Sequence, residues 1–328
     1  MKFKKVTIAV AVASLALPAL LTGSTSQAAT NYANRPKTIL WVQPMKDHPV
    51  HKLMQAGFLK ECKKLGYKCD IVGNASATKW DPVGTIPLVT AALASKKYGY
   101  VAVYPEDPAL YKLTTKLAGQ GYPIIGWHNL PPAGTVPGLL ASAAESGPSV
   151  GIAAADGICS QIANKGTVAI TEGSLNPIEN AVADGFKTEL TAKCPAVTTT
   201  AIGIEGFDPV KAVATAVGIL SADPSIVAAF GTTGNSAQTW ASASKKAGRT
   251  ITTIGVDYIR QNLDLINSGA VYGVVAQPLY EESVAVVDLF NQLHLGKKIA
   301  YSNIIPVALV TKANIAKYYA IVKAAETK

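Results

Sequence analysis

The chain has 328 residues, 49% of them hydrophobic and 16% charged, with a formal net charge of +9. That length fits about two domains of common size, and the apolar content excludes a disordered chain. The positive charge is spread thinly with no long Lys/Arg block, so nucleic acid is not an expected partner.

Lys2, Lys4 and Lys5 head the chain, an apolar run follows over residues 6–21, and small polar residues continue to Ala29. A basic head, an apolar middle and a small-residue exit describe a secretory signal peptide, with cleavage expected near Ala28 or Ala29. Pro18 interrupts the run, which is marginal in length for a membrane span. No cysteine lies near Leu20-Leu21-Thr22-Gly23-Ser24, so a lipoprotein is not expected. Cleavage would remove three lysines and lower the net charge from +9 to +6. The four cysteines are Cys62, Cys69, Cys159 and Cys194. An even count in an exported chain favours disulfides, with three connectivities open. Chain order suggests Cys62 with Cys69 and Cys159 with Cys194. Their spacing includes no CxxC, which speaks against redox or zinc chemistry.

Beyond the signal the pattern alternates. Short β-rich runs at 38–42, 68–72, 100–104 and 124–127 are separated by helical patterns at 50–65, 82–97 and 108–120. The beat resumes with strands at 167–171, 198–204, 226–230, 251–256 and 271–276, and helices at 176–192, 209–220, 236–247 and 279–295. Apolar strands alternating with amphipathic helices predict βαβ units and parallel sheets covered on both faces. About ten strands exceed one comfortable sheet, so an α/β architecture of two doubly wound, Rossmann-like lobes is expected.

Ligands of such sheets bind outside the carboxyl ends of the strands, which directs attention to the residues that follow each strand. These include Met45 to His51, Glu106, Trp127-His128-Asn129, Glu172-Gly173-Ser174, Glu205-Gly206-Phe207, Thr232 to Asn235, Asp257 and Gln277. Amides, acids, imidazoles and aromatics collected at one place suit a polyhydroxy ligand, whose hydroxyls meet planar polar groups while rings stack on C–H faces. Lys46 and Lys79 would suit an acidic sugar. Trp80 and Trp240 are weaker candidates.

The ordered set His48-Pro49, Lys64-Leu65-Gly66-Tyr67, Pro123-Ile124-Ile125, Asp184-Gly185-Phe186, Ile254-Gly255-Val256-Asp257 and Ala276-Gln277 resembles the type I periplasmic binding proteins of ABC transporters, the ribose- and galactose-binding group. The likeness runs from about Lys37 to Val322. It implies sugar contacts at His48 and His51, at His128 and Asn129, near Asn180, at Phe207, at Thr233 to Asn235, and at Asp257 and Gln277. Two arginines and an aspartate of the family's pattern are replaced here, at His128-Asn129 and near Asn180, which favours a sugar alcohol or other small polyol over an ordinary aldopyranose. Glu106 and Trp127 join the expected contacts from their places after strands.

No G-x-G-x-x-G or P-loop occurs, and four histidines give no clear Ser-His-Asp order, so catalysis and nucleotide chemistry are not expected. Neither a cofactor nor a metal is expected, although His48, His51 and His128 form a conceivable zinc trio. The resemblance implies a monomeric periplasmic carrier that closes about a three-segment hinge, near residues 139–144, 276–279 and 303–306, and docks on a membrane permease. The lobes are expected at 30–142 with 278–304 and at 143–277 with 305–328, after a signal at 1–29. The alternative is a sensor of the same fold coupled to a chemoreceptor or histidine kinase, or a binder of a quorum-type or acidic sugar-like ligand.

Overall fold

The computed structural model describes residues 32–95 and 97–326; the signal segment lies outside them. The first half runs β1 (Thr38–Val42), α1 (Pro49–Leu65), β2 (Lys68–Val72), α2 (Pro82–Ser95), β3 (Tyr100–Val103), α3 (Pro108–Gly119), β4 (Ile124–Trp127) and β5 (Leu139–Ala144). Next come α4 (Gly147–Cys159), β6 (Thr167–Glu172), α5 (Pro177–Lys193), β7 (Thr198–Thr199), β8 (Gly203–Ile204), α6 (Pro209–Ala222), β9 (Ile226–Gly231), α7 (Ser236–Lys246), β10 (Thr252–Val256), α8 (Arg260–Ser268) and β11 (Gly273–Ala276). The chain closes with α9 (Leu279–His294), β12 (Ser302–Ile304), β13 (Ala308–Val310) and α10 (Ile315–Glu326). Proline stands in the first turn of α1, α3, α4, α5 and α6. There its fixed φ suits the helix and its missing N–H costs nothing.

Two sheets result, as the alternation predicts. The first has the order β12-β5-β4-β3-β1-β2 and is parallel throughout. The second has the order β13-β11-β10-β9-β6-β7, parallel except for the antiparallel β13. Read from β2 and from β7, the two sheets repeat one strand order. Each reverses direction beside its first strand, β1 or β6, and such a switch point is where doubly wound folds open a crevice. The chain passes between the sheets three times, after β5, after β11 and between β12 and β13.

The strand expected over 198–204 is instead two short pieces, β7 and β8, both paired with β6. Between them the Thr200 hydroxyl accepts the Ile170 N–H at 3.2 Å, so a side chain replaces one rung of the ladder. Helix α4 has no counterpart among the expected elements, because Gly147, Gly151 and Gly157 weaken its helical signal. Packing explains those glycines. A Cβ on Gly151 would lie 2.0 Å from the Val182 carbonyl oxygen, and one on Gly185 would lie 2.6 Å from that of Pro148, so α4 and α5 touch backbone to backbone. The Cys159–Cys194 disulfide ties the ends of the same two helices, and Cys62–Cys69 joins α1 to β2. Among the described residues no helix is long and apolar enough to cross a membrane.

Candidate functional site

The loops after β1, β2, β3 and β4 of the first sheet meet those after β6, β8, β9, β10 and β11 of the second around a cavity of about 80 Å³. At about 10–15 Å³ per water-sized group, this holds roughly five to eight such groups, the scale of a small metabolite. The first sheet contributes Met45, His48, His51, Trp80, Tyr104, Glu106 and His128. The second contributes Ser174, Asn176, Glu179, Phe207, Thr232, Thr233, Gly234, Asp257 and Gln277.

His48 caps α1 without a side-chain capping bond, and its Nε2 is buried with no hydrogen-bond partner. His51, one turn in, lies with Nδ1 2.7 Å from the Met45 carbonyl oxygen. A carbonyl can only accept, so Nδ1 carries the proton and Nε2 keeps its lone pair. Burial lowers His48 to about 4 and His51 to about 3, so both rings are neutral at physiological pH.

Asp257 directly follows β10 in the left-handed region, at φ 70°. That conformation is uncommon for residues other than glycine, with Asn and Asp among the more tolerant. The buried Asn262 amide fixes this corner by donating to the carbonyls of Gly234, Val256 and Asp257 at 2.9, 3.0 and 2.9 Å. The Asp257 Oδ1 atom is buried without a partner, and burial raises the carboxyl to about 7. Burial, together with Glu179 facing it, raises Glu106 to about 8.

His128 occupies the matching place after β4, also left-handed at φ 60°. Its Nδ1 lies 2.9 Å from Glu282 Oε1 and 3.9 Å from Glu145 Oε2. Burial alone would lower this ring, but the two carboxylates outweigh burial and raise it to about 10. His128 is therefore an imidazolium whose charge is spent on Glu282 and Glu145. Gln277 joins this network by donating Nε2 to Glu145 Oε1 at 2.7 Å. Glu145 follows β5 and Gln277 follows β11, so this bond links two of the three inter-sheet crossings.

Residues 39–298 match the model of a family described as Periplasmic binding protein domain, well over half of the chain. The chain belongs to that family. Among solved structures, this periplasmic binding protein is similar to a carbohydrate transporter solute-binding protein from Agrobacterium radiobacter in complex with D-arabinose, at 24% identity and a TM-score of 0.78, covering 87% of this chain and 98% of that one. A solute-binding protein from Agrobacterium vitis bound with α-D-tagatopyranose matches at 21% identity and 0.78, covering 86% and 98%. GanP, a glucose-galactose binding protein from Geobacillus stearothermophilus, matches at 19% and 0.77, covering 85% and 98%. At these identities the likeness concerns the fold. No curated protein sequence matches the chain. Family and disulfides together place this binding protein outside the cytoplasm.

Of the contacts expected for this periplasmic binding protein, the cavity brings together His48, His51, Glu106, His128, Phe207, Thr233, Asp257 and Gln277. Four others lie elsewhere. Trp127 is wholly buried, sandwiched between Trp41 at 5.1 Å and Tyr104 at 4.6 Å, so Tyr104 presents the aromatic face in its stead. Asn129 turns away to donate to the Pro105 carbonyl at 2.5 Å. Asn180 is exposed on α5, and in its satisfied orientation its amide nitrogen meets Glu172 Oε2 at 3.0 Å. Asn235 precedes α7 beside His48, outside the wall.

The sequence reading placed Met45 and Ser174 after strands without naming them as contacts, and it missed Tyr104, Asn176, Glu179, Glu145 and Glu282. Glu179 was detectable, because Asn176-Pro177-Ile178-Glu179 has capping-box spacing before an apolar run. Asn176 Oδ1 accepts the Glu179 N–H at 2.8 Å, and its amide returns a bond to Glu179 Oε1 at 3.0 Å. Trp80, ranked low from sequence, stands in the wall with its ring 5.4 Å from Tyr104. Trp240 is core, its indole N–H donating to Thr171. Glu205 is an internal brace, accepting from Ser236 at 2.6 Å and Thr171 at 3.1 Å. The His48-His51-His128 zinc trio does not form: the cluster whose potential ligand atoms lie within 4.8 Å is His128, Glu145 and Glu282. There the imidazolium acts as counter-ion.

Proposed function

We propose that this protein captures a small sugar or sugar alcohol in the cavity, leaves it chemically unchanged, and delivers it to an ABC permease. The observation that carries this reading is the composition of the wall. Neutral imidazoles, a carboxyl with a free acceptor and an amide come from loops of both sheets, beside the rings of Trp80, Tyr104 and Phe207. Such a wall can bond several hydroxyls and cover C–H faces at once. The carbohydrates bound by the Agrobacterium relatives support the same class.

Because each half supplies part of the wall, full contact needs both, so ligand shifts the population toward the closed arrangement. The three crossings act as the hinge. The lobes take residues 30–142 with 278–304 and 143–277 with 305–328. The signal at 1–29 is cleaved on export, the mature protein is a monomer, and the closed form is what the permease recognises. An acidic ligand fits poorly, since Glu106, Glu179 and Asp257 face the cavity while Lys46 and Lys79 do not line it.

Thermal shift and calorimetry over neutral sugars, alditols, sugar acids and amino acids test the reading. Stabilisation by at least one hydroxyl-rich compound, with no turnover of it, is expected. No response to any of them, or a response confined to amino acids or sugar acids, rejects the proposal.

A further inference from the structure

We propose that the ligand carries a protonated amine as well as hydroxyls, as in an amino sugar or aminoalditol, with its ammonium seated among Glu106, Glu179 and Asp257. The proposal rests on the reading of the cavity as a sugar or polyol site and narrows it.

Three carboxyl groups reach the cavity from three separate loops or helix starts, and among the described residues the wall contains no lysine or arginine. The histidines do not compensate. His48 and His51 are held neutral by burial, and the His128 charge is committed to Glu282 and Glu145.

Glu179 accepts three bonds, from the Gly173 N–H at 2.5 Å, the Thr232 hydroxyl at 2.6 Å and the Asn176 amide at 3.0 Å, while burial still raises its carboxyl above the usual range. Glu106 faces Glu179, and each carboxyl raises the cost of ionising the other. Asp257 is only 2% exposed, lines the cavity, and has an Oδ1 with no donor at all. A buried carboxylate without a partner is costly, and hydroxyls alone would supply donors without neutralising the charge. An ammonium supplies three donors and the missing charge together. The rings of Trp80, Tyr104 and Phe207 in the same wall are the surfaces on which a desolvated cation gains further attraction.

Matched series decide the matter by calorimetry on the ligand-free protein at pH 7.5. They are D-glucose, D-glucosamine and N-acetyl-D-glucosamine, the same three forms of D-galactose, sorbitol with 1-amino-1-deoxysorbitol, and glycerol with 2-amino-1,3-propanediol. Choline and putrescine serve as amines without a polyol. The expected result is an amine binding at least tenfold more tightly than its neutral parent in at least one series. N-acetylation, which removes the charge, should abolish the gain where that form exists, and Glu106→Gln and Asp257→Asn should each shrink it. If every neutral parent binds as tightly as its amine or more so, the inference fails and the sugar reading stands. Binding of choline or putrescine alone, or of nothing, overturns both.

Discussion

Asp257→Asn separates a binding role from a structural one. Asn is nearly isosteric and, like Asp, tolerates the left-handed φ of 70° at this position, so the Asn262 clamp on the local carbonyls should survive. Loss of a hydrogen bond to a charged group removes about 1.5–3 kcal/mol, which is roughly a tenfold to hundredfold weaker Kd. Stability should move the other way. Burial raises the carboxyl from 3.8 to about 7, so the folded state binds its proton more tightly than the unfolded chain does. The ionised group therefore opposes folding, by about 1.4 kcal/mol for each pH unit between those values. At pH 8 the variant should gain on the order of 1–3 kcal/mol once the cost of burying an amide is deducted, and the gain should shrink as pH falls toward 4. Calorimetric binding and thermal melts across that pH range read both quantities. Unchanged affinity, or a loss of stability at pH 8, would refute the reasoning.

The same linkage predicts a fall in the melting temperature of the unliganded protein between pH 6.5 and 8. Glu106 and Asp257 lie at about 8 and 7 and His128 at about 10, so the folded state's stronger hold on these protons is lost as pH rises, while His48 and His51 are already neutral; a flat or rising profile contradicts this. Asn262→Ala removes an amide whose two N–H groups serve three buried carbonyls, at about 1 kcal/mol for each N–H, and should lower both stability in denaturant melts and affinity. Glu282→Gln should bring the His128 pKa down from about 10, visible in the pH dependence of its ring resonances by NMR. Gly151→Ala should destabilise the protein by at least about 1–3 kcal/mol, since its Cβ would sit 2.0 Å from a backbone oxygen; a melt within a degree of the parent would contradict the close helix contact.

What the sequence determined alone is the frame. The apolar runs, the helix-starting prolines and the strand-end positions follow from local periodicity, and with the architecture they locate the loops that reach the ligand. His48, Asp257 and Gln277 are in the wall because they follow strands. Tertiary structure decided the rest, because those features depend on partners remote in the chain. Trp127 also follows a strand, yet Trp41, 86 residues earlier, and Tyr104 take both its faces. His128 becomes a cation only because Glu282, 154 residues on, lies against it. Helix α4 reads as broken until α5 is laid on its glycines. Periodicity encodes which face a residue presents, whereas charge state and close packing belong to pairs of residues that meet only in the fold.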